Sequence, residues 1–364
     1  MTLSVSLQHR LGDFALDVSF TAPNGITVLY GRSGSGKTTI VNALAGLLRA
    51  DAGRVSTDTR VLYDAQAGID LPPHKRGVGY VFQEGRLFPH LTVKQNLMYG
   101  RWFAPQQADH AEVSRIIEML GIGSLLNRRP TGLSGGEKQR VGIGRALLSS
   151  PRLILADEPL AALDDARKEE ILPYFERLRD EIDIPIIYVS HAGSEVARLA
   201  TTIVVMEQGR VVRAGPADAV LSDPSITPLG AAAAGVLLQA RVTAQHDDGI
   251  TEVVAGGVAL LLPHIPSPVG AALRVRIEAQ DVMLATTAPQ AISALNVLPA
   301  TITSLRQGDG PGVLVQIKAG DNLMLARVTR RSADALGLVE GRAVFAVLKA
   351  VSIPRGAIGD QQTQ

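Results

Sequence analysis

The apolar residues of the first 230 positions form short continuous runs, separated by polar loops and helical patterns. Three such runs are "ITVLY" (26–30), "RLILA" (152–156) and "IPIIYVS" (184–190). Runs of this length that lack a polar face are typical of buried parallel strands, because helices cover both sides of such a sheet. We therefore predict an α/β domain over residues 1–230.

A mainly helical insert lies between the first two of these strands. In the stretch "DHAEVSRIIEMLG" (109–121), four apolar residues have the spacing of one helical face. They are Val113, Ile116, Ile117 and Leu120, and Gly121 is placed to end the helix. We predict a helical subdomain over about residues 85–150.

The pattern changes to short alternating runs from about residue 236 to 355. Examples are "LRVRI", "GVLVQI" and "RAVFAVLKAVSI", separated by turns that contain Gly or Pro. This pattern is typical of a small β-barrel. Because "ARVTAQHDDG" from residue 240 is similar to "ATITSLRQGDG" from residue 300, we predict two related halves. The first half, with a connector, covers 231–290 and the second covers 291–355. Residues 356–364 form the tail, and its end "GDQQTQ" (359–364) is predicted to be disordered.

Composition and charge exclude several classes of function. Lys and Arg total 36 against 35 for Asp and Glu, so the net charge is +1 and gives no indication of nucleic-acid binding. The chain has no cysteine, which excludes disulfides and thiolate chemistry. The first residues lack the apolar core of a signal peptide, and the apolar runs are shorter than the roughly 20 residues of a membrane helix. We expect a soluble protein that acts at a membrane only through a partner.

The sequence "GRSGSGKT" (31–38) fits the pattern of phosphate-binding loops, and it lies between a predicted strand and a predicted helix at about 37–48. Its glycines allow backbone N–H groups to surround phosphate oxygens, Lys37 can reach the β- and γ-phosphates, and the Thr38 hydroxyl can ligate Mg²⁺. An ordinary Gly/Ser-rich turn would not need the Lys-Thr pair. We predict a nucleotide site formed by Gly31, Arg32, Ser33, Gly34, Ser35, Gly36, Lys37, Thr38 and Thr39.

Polar residues follow two further predicted strands. Asp157 and Glu158 come after "RLILA", and His191 comes after "IPIIYVS". At the carboxyl edge of a parallel sheet, Asp157 would hold Mg²⁺ and Glu158 would polarise the attacking water as general base. His191 would contact the γ-phosphate or orient the water. An acidic pair or a single histidine at a strand end is often only a surface feature, but the phosphate loop favours catalytic roles here.

The sequence "LSGGEKQR" (133–140) begins a helix in an unusual way. Ser134 and Glu137 have the spacing of a capping box. The capping box does not explain Gly135 and Gly136, since each glycine in a helix costs about 1 kcal/mol relative to alanine. We infer that this helix start approaches a group outside the helix.

The phosphate loop, "LSGGEKQR", "LILADEP" and "VSH", in this order, resemble the ATP-binding subunits of ABC transporters over residues 1 to about 230. The resemblance implies a P-loop NTPase domain that uses ATP with Mg²⁺. It also implies that Gln83 is the glutamine that senses Mg²⁺ and the γ-phosphate. The chain departs from the family at Ala161, where serine is usual, and at Ala192, where aspartate is usual. The family also has an aromatic residue about 20–25 positions before the phosphate loop. This chain has none in that window, and Phe14 lies nearer to the loop.

In this family two subunits close head to tail, so the resemblance also implies a homodimer. Each ATP would lie between the phosphate loop of one chain and the "LSGG" segment of the other. Ser134, Gly135, Gly136 and Asp164 would then contact the ATP of the partner subunit, with the helix dipole favouring the γ-phosphate. Hydrolysis would require two copies, and their closure and opening would drive the membrane partner.

The stretches "EGRLFPHLTV" (84–93) and "LRVRIEAQDVML" resemble the molybdate-importing subset of these ATPases. Residues 291–355 resemble the Mop/TOBE module, which is all-β and OB-like and binds molybdate or tungstate. The resemblance implies oxyanion contacts from Ser293, Lys349 and the backbone N–H of Ala350. Leu295 stands where this module has an arginine, so a module that only strengthens dimerisation is an open alternative.

The resemblance implies an ATPase at the cytoplasmic face of the inner membrane. Its partners would be permease subunits and, indirectly, an extracytoplasmic molybdate-binding protein. Three alternatives stay open: an importer ATPase for sulfate, a sugar or a polyamine; a soluble ABC ATPase without a permease; and a cytoplasmic oxyanion sensor.

Overall fold

A computed structural model describes residues 1–103, 110–161, 163–221, 223, 234–307, 311–353 and 358–361. The chain divides into two compact units, Met1–Ala192 with Leu199–Ala214, and Gly193–Arg198 with Gly215–Gln364. This division lies ahead of the boundary predicted at residue 230, and residue 230 itself is outside the described part of the chain. The short segment Gly193–Arg198 also belongs to the second unit, although it lies within the predicted ATPase domain.

The first unit is an α/β structure, as predicted. Its strands are β1 (Leu3–Leu11), β2 (Phe14–Ala22), β3 (Gly25–Tyr30), β4 (Ala52–Thr57), β5 (Arg60–Asp64), β6 (Ile69–Asp70), β7 (Val78–Val81), β8 (Leu153–Asp157), β9 (Pro185–Ser190), β10 (Thr202–Glu207) and β11 (Arg210–Pro216). They form one sheet in the order β6-β5-β4-β1-β2-β11-β10-β3-β9-β8-β7. Every residue of β3 and β9 is buried, because helices cover both faces of the sheet there.

The helices described up to residue 199 are α1 (Lys37–Ala45), α2 (Val93–Tyr99), α3 (His110–Met119), α4 (Gly135–Leu147), α5 (Asp165–Glu181) and α6 (Gly193–Leu199). Helices α2 to α4 occupy the segment where a helical insert is predicted. Buried Asn96 of α2 fixes the loop before that helix, since its amide accepts from the Phe88 N–H at 2.8 Å and donates to the Thr92 carbonyl at 3.0 Å. Within the described ranges, no helix is long and apolar enough to cross a membrane.

The positions of four neighbouring strands explain why the candidate residues meet. Strands β3, β9, β8 and β7 are adjacent and parallel. Their carboxyl ends therefore lie at the same edge of the sheet. The phosphate loop follows β3, His191 follows β9, Asp157 ends β8, and Gln83 comes shortly after β7.

The second unit contains two five-stranded antiparallel sheets, with helices α7 (Ala217–Leu221) and α8 (Arg330–Ala335). The first sheet has the order β14-β13-β12-β15-β21 and the second β16-β20-β17-β18-β19. The strands are β12 (Gly235–Gln245), β13 (Ile250–Ala255), β14 (Val258–Pro263), β15 (Ala272–Glu278), β16 (Met283–Ala285), β17 (Asn296–Gln307), β18 (Gly312–Ala319), β19 (Asn322–Thr329), β20 (Ala343–Leu348) and β21 (Ile358–Gln361). The two sheets share one apolar core, so the predicted all-β class is confirmed.

The first long strand of each sheet has the same local irregularity. The register of β12 shifts directly after Val242, and that of β17 shifts directly after Ile302. The Val242 N–H donates to the Ala271 carbonyl at 3.0 Å, and the Ile302 N–H donates to the Arg342 carbonyl at 2.9 Å. The two strands carry the two similar sequence stretches, so the sequence similarity extends to the backbone geometry.

The prediction of a disordered end at 359–364 is wrong for part of that segment. Ile358–Gln361 forms β21, which pairs with β15 from Val275 to Ala272. The pairing joins backbone groups at the open edge of the sheet, so it forms although most of the segment is polar. Ile358 also packs against the apolar core of this unit. Residues 356–357 and 362–364 lie outside the described part of the chain.

Candidate nucleotide site

The phosphate loop connects β3 to the start of α1. Gly36 is the N-cap of α1 at φ 100°, and no side chain caps this helix. The first N–H groups of α1 are therefore available to an anion, which the helix dipole also favours. A Cβ atom on Gly31 would lie 2.3 Å from the Met206 carbonyl oxygen, and one on Gly36 would lie 2.8 Å from Leu16 Cδ1. The backbone contact requires glycine at position 31, and the positive φ requires it at position 36.

Lys37 lies buried within the phosphate loop. Its ammonium donates to the carbonyls of Gly31 and Arg32, each at 2.8 Å. Burial lowers the pKa of Lys37, and the negative charges of Glu158 and Asp157 act in the opposite direction. The ammonium is therefore held among backbone carbonyls and near two carboxylates, where it can also meet phosphate oxygens.

Asp157 meets the phosphate-loop helix at the end of β8. Its Oδ1 lies 3.5 Å from the Thr38 hydroxyl, and its Oδ2 accepts from the Tyr80 hydroxyl at 3.4 Å. Burial and, second, the charge of Glu158 raise the pKa of Asp157, while hydrogen bonds from Tyr80 and Thr38 lower it. The unfavourable charge of this carboxylate would be relieved by a cation.

The residues at this point fit Mg²⁺. A carboxylate and a hydroxyl are oxygen donors, and Mg²⁺ is usually held by one or two carboxylates with substrate phosphates and water completing the shell. Throughout the described residues, no group of three or more His, Cys, Asp or Glu could hold a metal ion. The Thr38 hydroxyl and the Asp157 carboxylate, 3.5 Å apart, are the donors that fit such an ion beside the phosphate loop.

Glu158 and His191 form the second pair at this edge. His191 Nδ1 lies 3.3 Å from Glu158 Oε1, and the Glu158 side chain is 31 % exposed. The backbone of Glu158 is left-handed, at φ 46°, and its N–H donates to the Val189 carbonyl at 3.1 Å. This conformation costs a non-glycine residue about 1–3 kcal/mol, and such strain is found most often at functional sites.

The helix start at "LSGG" is a complete capping box. The Ser134 hydroxyl accepts from the Glu137 N–H at 3.2 Å, and the Glu137 carboxylate accepts from the Ser134 N–H at 2.7 Å. Neither following glycine has a positive φ. A Cβ on Gly136 would meet its nearest neighbour, Ile171, at an ordinary 3.6 Å. The conformation and packing of this chain therefore do not require glycine at position 136.

The structure brings some predicted residues together and leaves others apart. Thr38 approaches Asp157, and Glu158 approaches His191. Asp164 instead caps α5 by accepting from the Arg167 N–H at 2.9 Å. Over the described residues, Gln83 makes no side-chain hydrogen bond. It lines a groove of about 410 Å³, together with Gly135, Leu163 and other residues of the first unit.

Comparison with known proteins agrees with this geometry. Residues 16–161 match the family model described as "ABC transporter", and residues 292–353 match that of the TOBE domain. The chain is 54% identical to "Molybdenum import ATP-binding protein ModC" of Rhizobium meliloti, over 97% of this chain and 99% of that protein. It is 50% identical to the protein of the same name from Mesorhizobium japonicum, over 99% and 98% of the two chains. This chain belongs to the ModC family of ABC-transporter ATP-binding proteins.

The ABC fold of this ModC-family chain also matches solved structures. One is the structure of cbiO1 from Clostridium perfringens, part of the ABC transporter complex cbiONQ. The TM-score is 0.51 at 26% identity, and the match covers 61% of this chain and 90% of that one. The family resemblance and the fold class expected from the motifs are therefore confirmed.

The candidate oxyanion residues of this ModC-family chain lie in the second unit, at the start of β17 and the end of β20. Asn296 pairs with Leu348, so Ser293 and Lys349 leave the same end of this strand pair. Both are exposed, and Ala350 is buried. Asn296 has a structural function, because its amide accepts from the Leu261 N–H at 2.7 Å and donates to the Leu261 carbonyl at 2.9 Å.

Sequence reasoning missed Tyr80 and Gln139. The Gln139 amide of α4 donates to the Phe82 carbonyl at 3.1 Å, which ties the "LSGGEKQR" helix to the segment before Gln83. Tyr80 contacts Asp157 because β7 is the neighbour of β8. A tyrosine within a predicted strand is the available signal, but the order of strands is needed to place it beside the carboxylate.

Proposed function

We propose that this chain is the ATPase subunit that powers molybdate or tungstate import through a membrane permease. One observation carries the proposal. The phosphate loop, Asp157, Glu158 and His191 share one sheet edge, in a chain about half identical over nearly its whole length to proteins named molybdenum import ATP-binding protein.

The phosphate loop binds the polyphosphate of ATP. The N–H groups of residues 31–39 and the uncapped start of α1 donate to phosphate oxygens, and the Lys37 ammonium contacts the β- and γ-phosphates. Thr38 and Asp157 would hold the Mg²⁺, and Gln83 would be the residue that senses it. When bound, this ion neutralises charge that develops on the phosphate oxygens.

Glu158 acts on the attacking water. Its carboxylate takes a proton from the water as the water oxygen bonds to the γ-phosphorus, and the bond from phosphorus to the bridging oxygen of ADP breaks. His191 Nδ1 lies 3.3 Å from the Glu158 carboxylate. It can therefore orient this base, and it would contact the γ-phosphate. Both residues are partly exposed, so water can reach the base.

The site is completed by a second copy of the chain. Ser134, Gly135, Gly136 and Asp164 of one subunit contact the ATP held by the other. The glycine at position 136 supports this, because its own chain leaves room for a methyl group there. The closed complex therefore has two composite sites and hydrolyses ATP only as a dimer.

Replacing Ser134 with arginine tests the composite site. In a Glu158→Gln background, which should trap the closed dimer, adding Ser134→Arg is expected to abolish ATP-dependent dimerisation while the chain still binds ATP. Gel filtration with ATP measures dimerisation, and a fluorescent ATP analogue measures binding. Normal dimerisation, together with normal hydrolysis by Ser134→Arg alone, would contradict contact in trans.

The groove lined by Gln83 and Gly135 is the candidate docking surface for the permease. It places the residue that senses the γ-phosphate next to the helix start that meets the nucleotide of the partner subunit. Docking of a membrane partner here would connect transport to hydrolysis. The chain would then act at the cytoplasmic face of the inner membrane, with an extracytoplasmic molybdate-binding protein as an indirect partner.

The second unit is the candidate regulatory oxyanion module. Ser293, Lys349 and the N–H of Ala350 would contact the anion. Calorimetric titration of the full chain with molybdate, tungstate and sulfate tests this function. We expect molybdate to release heat on binding to the unsubstituted chain and not to the Lys349→Met variant. If the unsubstituted chain gives no heat and no shift in melting temperature, dimerisation is left as the function of this unit.

Reconstitution decides the cargo. The chain is assembled with its permease in vesicles, and ATPase activity is measured with each binding protein loaded with molybdate, tungstate, sulfate or maltose. We expect stimulation by molybdate and tungstate, and none in Glu158→Gln. Stimulation by sulfate alone would refute the assignment of the cargo and leave the ATPase assignment intact.

A further inference from the structure

The two oxygens of Asp157 have different neighbours. Oδ1 faces the Thr38 hydroxyl at 3.5 Å, and Oδ2 faces the Tyr80 hydroxyl at 3.4 Å. Tyr80 reaches this point from β7, where it pairs with Leu155 of β8. Both distances exceed the usual range of about 2.5–3.0 Å for hydroxyl donors, but hydrogen bonds of ligand-free sites often shorten when the ligand binds.

The Tyr80 ring is held by its neighbours. It stacks on the Phe82 ring, with centroids 4.0 Å apart and an angle of 17° between the planes. The Arg86 guanidinium lies 4.5 Å from the Phe82 centroid, and the Phe82 carbonyl accepts from Gln139. Tyr80 therefore joins the Asp157 carboxylate to the segment that contains Gln83.

We propose that Tyr80 is a positioning residue of the magnesium site. Its hydroxyl holds Oδ2 of Asp157, so that Oδ1 is turned toward Thr38 and the ion. The stack on Phe82 fixes the hydroxyl in turn. Carboxylates that ligate metals are commonly oriented by such outer hydrogen bonds, whose loss lowers metal affinity about 10–100-fold. The inference rests on the proposed function, in which Asp157 holds Mg²⁺.

The test compares two tyrosine-to-phenylalanine variants of the full chain. Tyr80→Phe keeps the stacked ring and removes only the hydroxyl. Tyr63→Phe is the matched control, because the buried Tyr63 hydroxyl donates to the Ala50 carbonyl at 2.6 Å, which no part of the proposed nucleotide site uses. The probe is Mn²⁺, whose affinity for the complex of protein and ADP is measured by EPR. ADP binding in EDTA is measured by calorimetry.

We expect Tyr80→Phe to weaken Mn²⁺ binding about ten-fold or more, with ADP binding in EDTA unchanged, and Tyr63→Phe to match the unsubstituted chain in both. Asp157→Asn is the reference variant, because it removes the carboxylate that is proposed to ligate the metal. If Asp157→Asn weakens Mn²⁺ binding and Tyr80→Phe does not, the role of Tyr80 is refuted and the magnesium site stands. If neither variant changes Mn²⁺ affinity, the magnesium site at Asp157 is refuted as well.

Discussion

Arg76 anchors the far end of the helix that begins at the phosphate loop, and replacing it with methionine should destabilise the first unit strongly. The guanidinium is buried and donates to the carbonyls of Ala43 and Leu44 in α1, at 2.5 and 3.0 Å. It also donates to the Leu71 carbonyl at 2.6 Å and to the Asp70 carboxylate at 2.8 Å. A cation at this end of α1 is also favoured by the helix dipole.

The size of the effect follows from what the substitution leaves behind. Methionine fills the space of the aliphatic stem but donates no hydrogen bond, so the carbonyls of Ala43, Leu44 and Leu71 lose a partner. Breaking a buried ion pair by removing one member costs about 3–5 kcal/mol. Because Asp70 is 34% exposed and can be hydrated, we expect the lower end of this range, about 3 kcal/mol.

The assay is calorimetric unfolding of the full chain, following the transition that ADP shifts to higher temperature, because only the unit that binds ADP is stabilised by it. A loss of about 3 kcal/mol corresponds to a decrease of roughly 6–12 °C in Tm for a unit of this size. Arg60→Met is the control, since the exposed Arg60 side chain donates to one carbonyl, that of Lys75, among the residues that the structure describes. Equal shifts for Arg76→Met and Arg60→Met would refute the anchoring argument.

Three further predictions concern the site itself. Glu158→Gln should keep ATP binding and reduce turnover about 10²–10⁴-fold, because the water loses its base; turnover near the unsubstituted rate would exclude Glu158 as the base. Asp157→Asn should raise the Tm measured without metal. Burial and the charge of Glu158 raise the pKa of Asp157 in the folded chain. The stability that the protonated carboxyl allows is therefore present below its ordinary pKa of 3.8 and is lost as the pH rises through the raised pKa, so the Tm gain of Asp157→Asn should grow as the pH rises above 3.8; a gain that does not change with pH would contradict this. Gly31→Ala should destabilise the first unit by about 1–3 kcal/mol or more in urea unfolding, because its Cβ would overlap the Met206 carbonyl, whereas Gly132→Ala, with nothing within 4 Å, should not.

Much of the α/β unit could be predicted from continuous apolar runs. The run at 184–190 corresponds to β9 and the run at 26–30 to β3, each within one residue. Strand β1 was not predicted, although its residues alternate between the core and solvent from Leu3 onward. The sequence of β1 has the period-two pattern of a half-buried strand. Because every second residue is polar, this pattern is harder to recognise in a sequence than the continuous apolar run of a fully buried strand.

Other features depend on neighbours that no local pattern reveals. The contact of Tyr80 with Asp157 requires β7 to lie beside β8, and sequence does not give this strand order directly. The strand at Ile358–Gln361 depends on the open edge of β15. The capping box at Ser134 and Glu137 was predicted and is present, because a cap involves residues only three apart.

The left-handed backbone of Glu158 has a consequence for how this position can vary. Glycine and asparagine adopt that conformation at lower cost, so either would make a more heat-resistant protein. Selection for stability alone would thus replace Glu158. Under its proposed role as the base, selection for turnover is what keeps the glutamate at this position. Related chains that no longer power transport should therefore acquire glycine or asparagine at position 158 first.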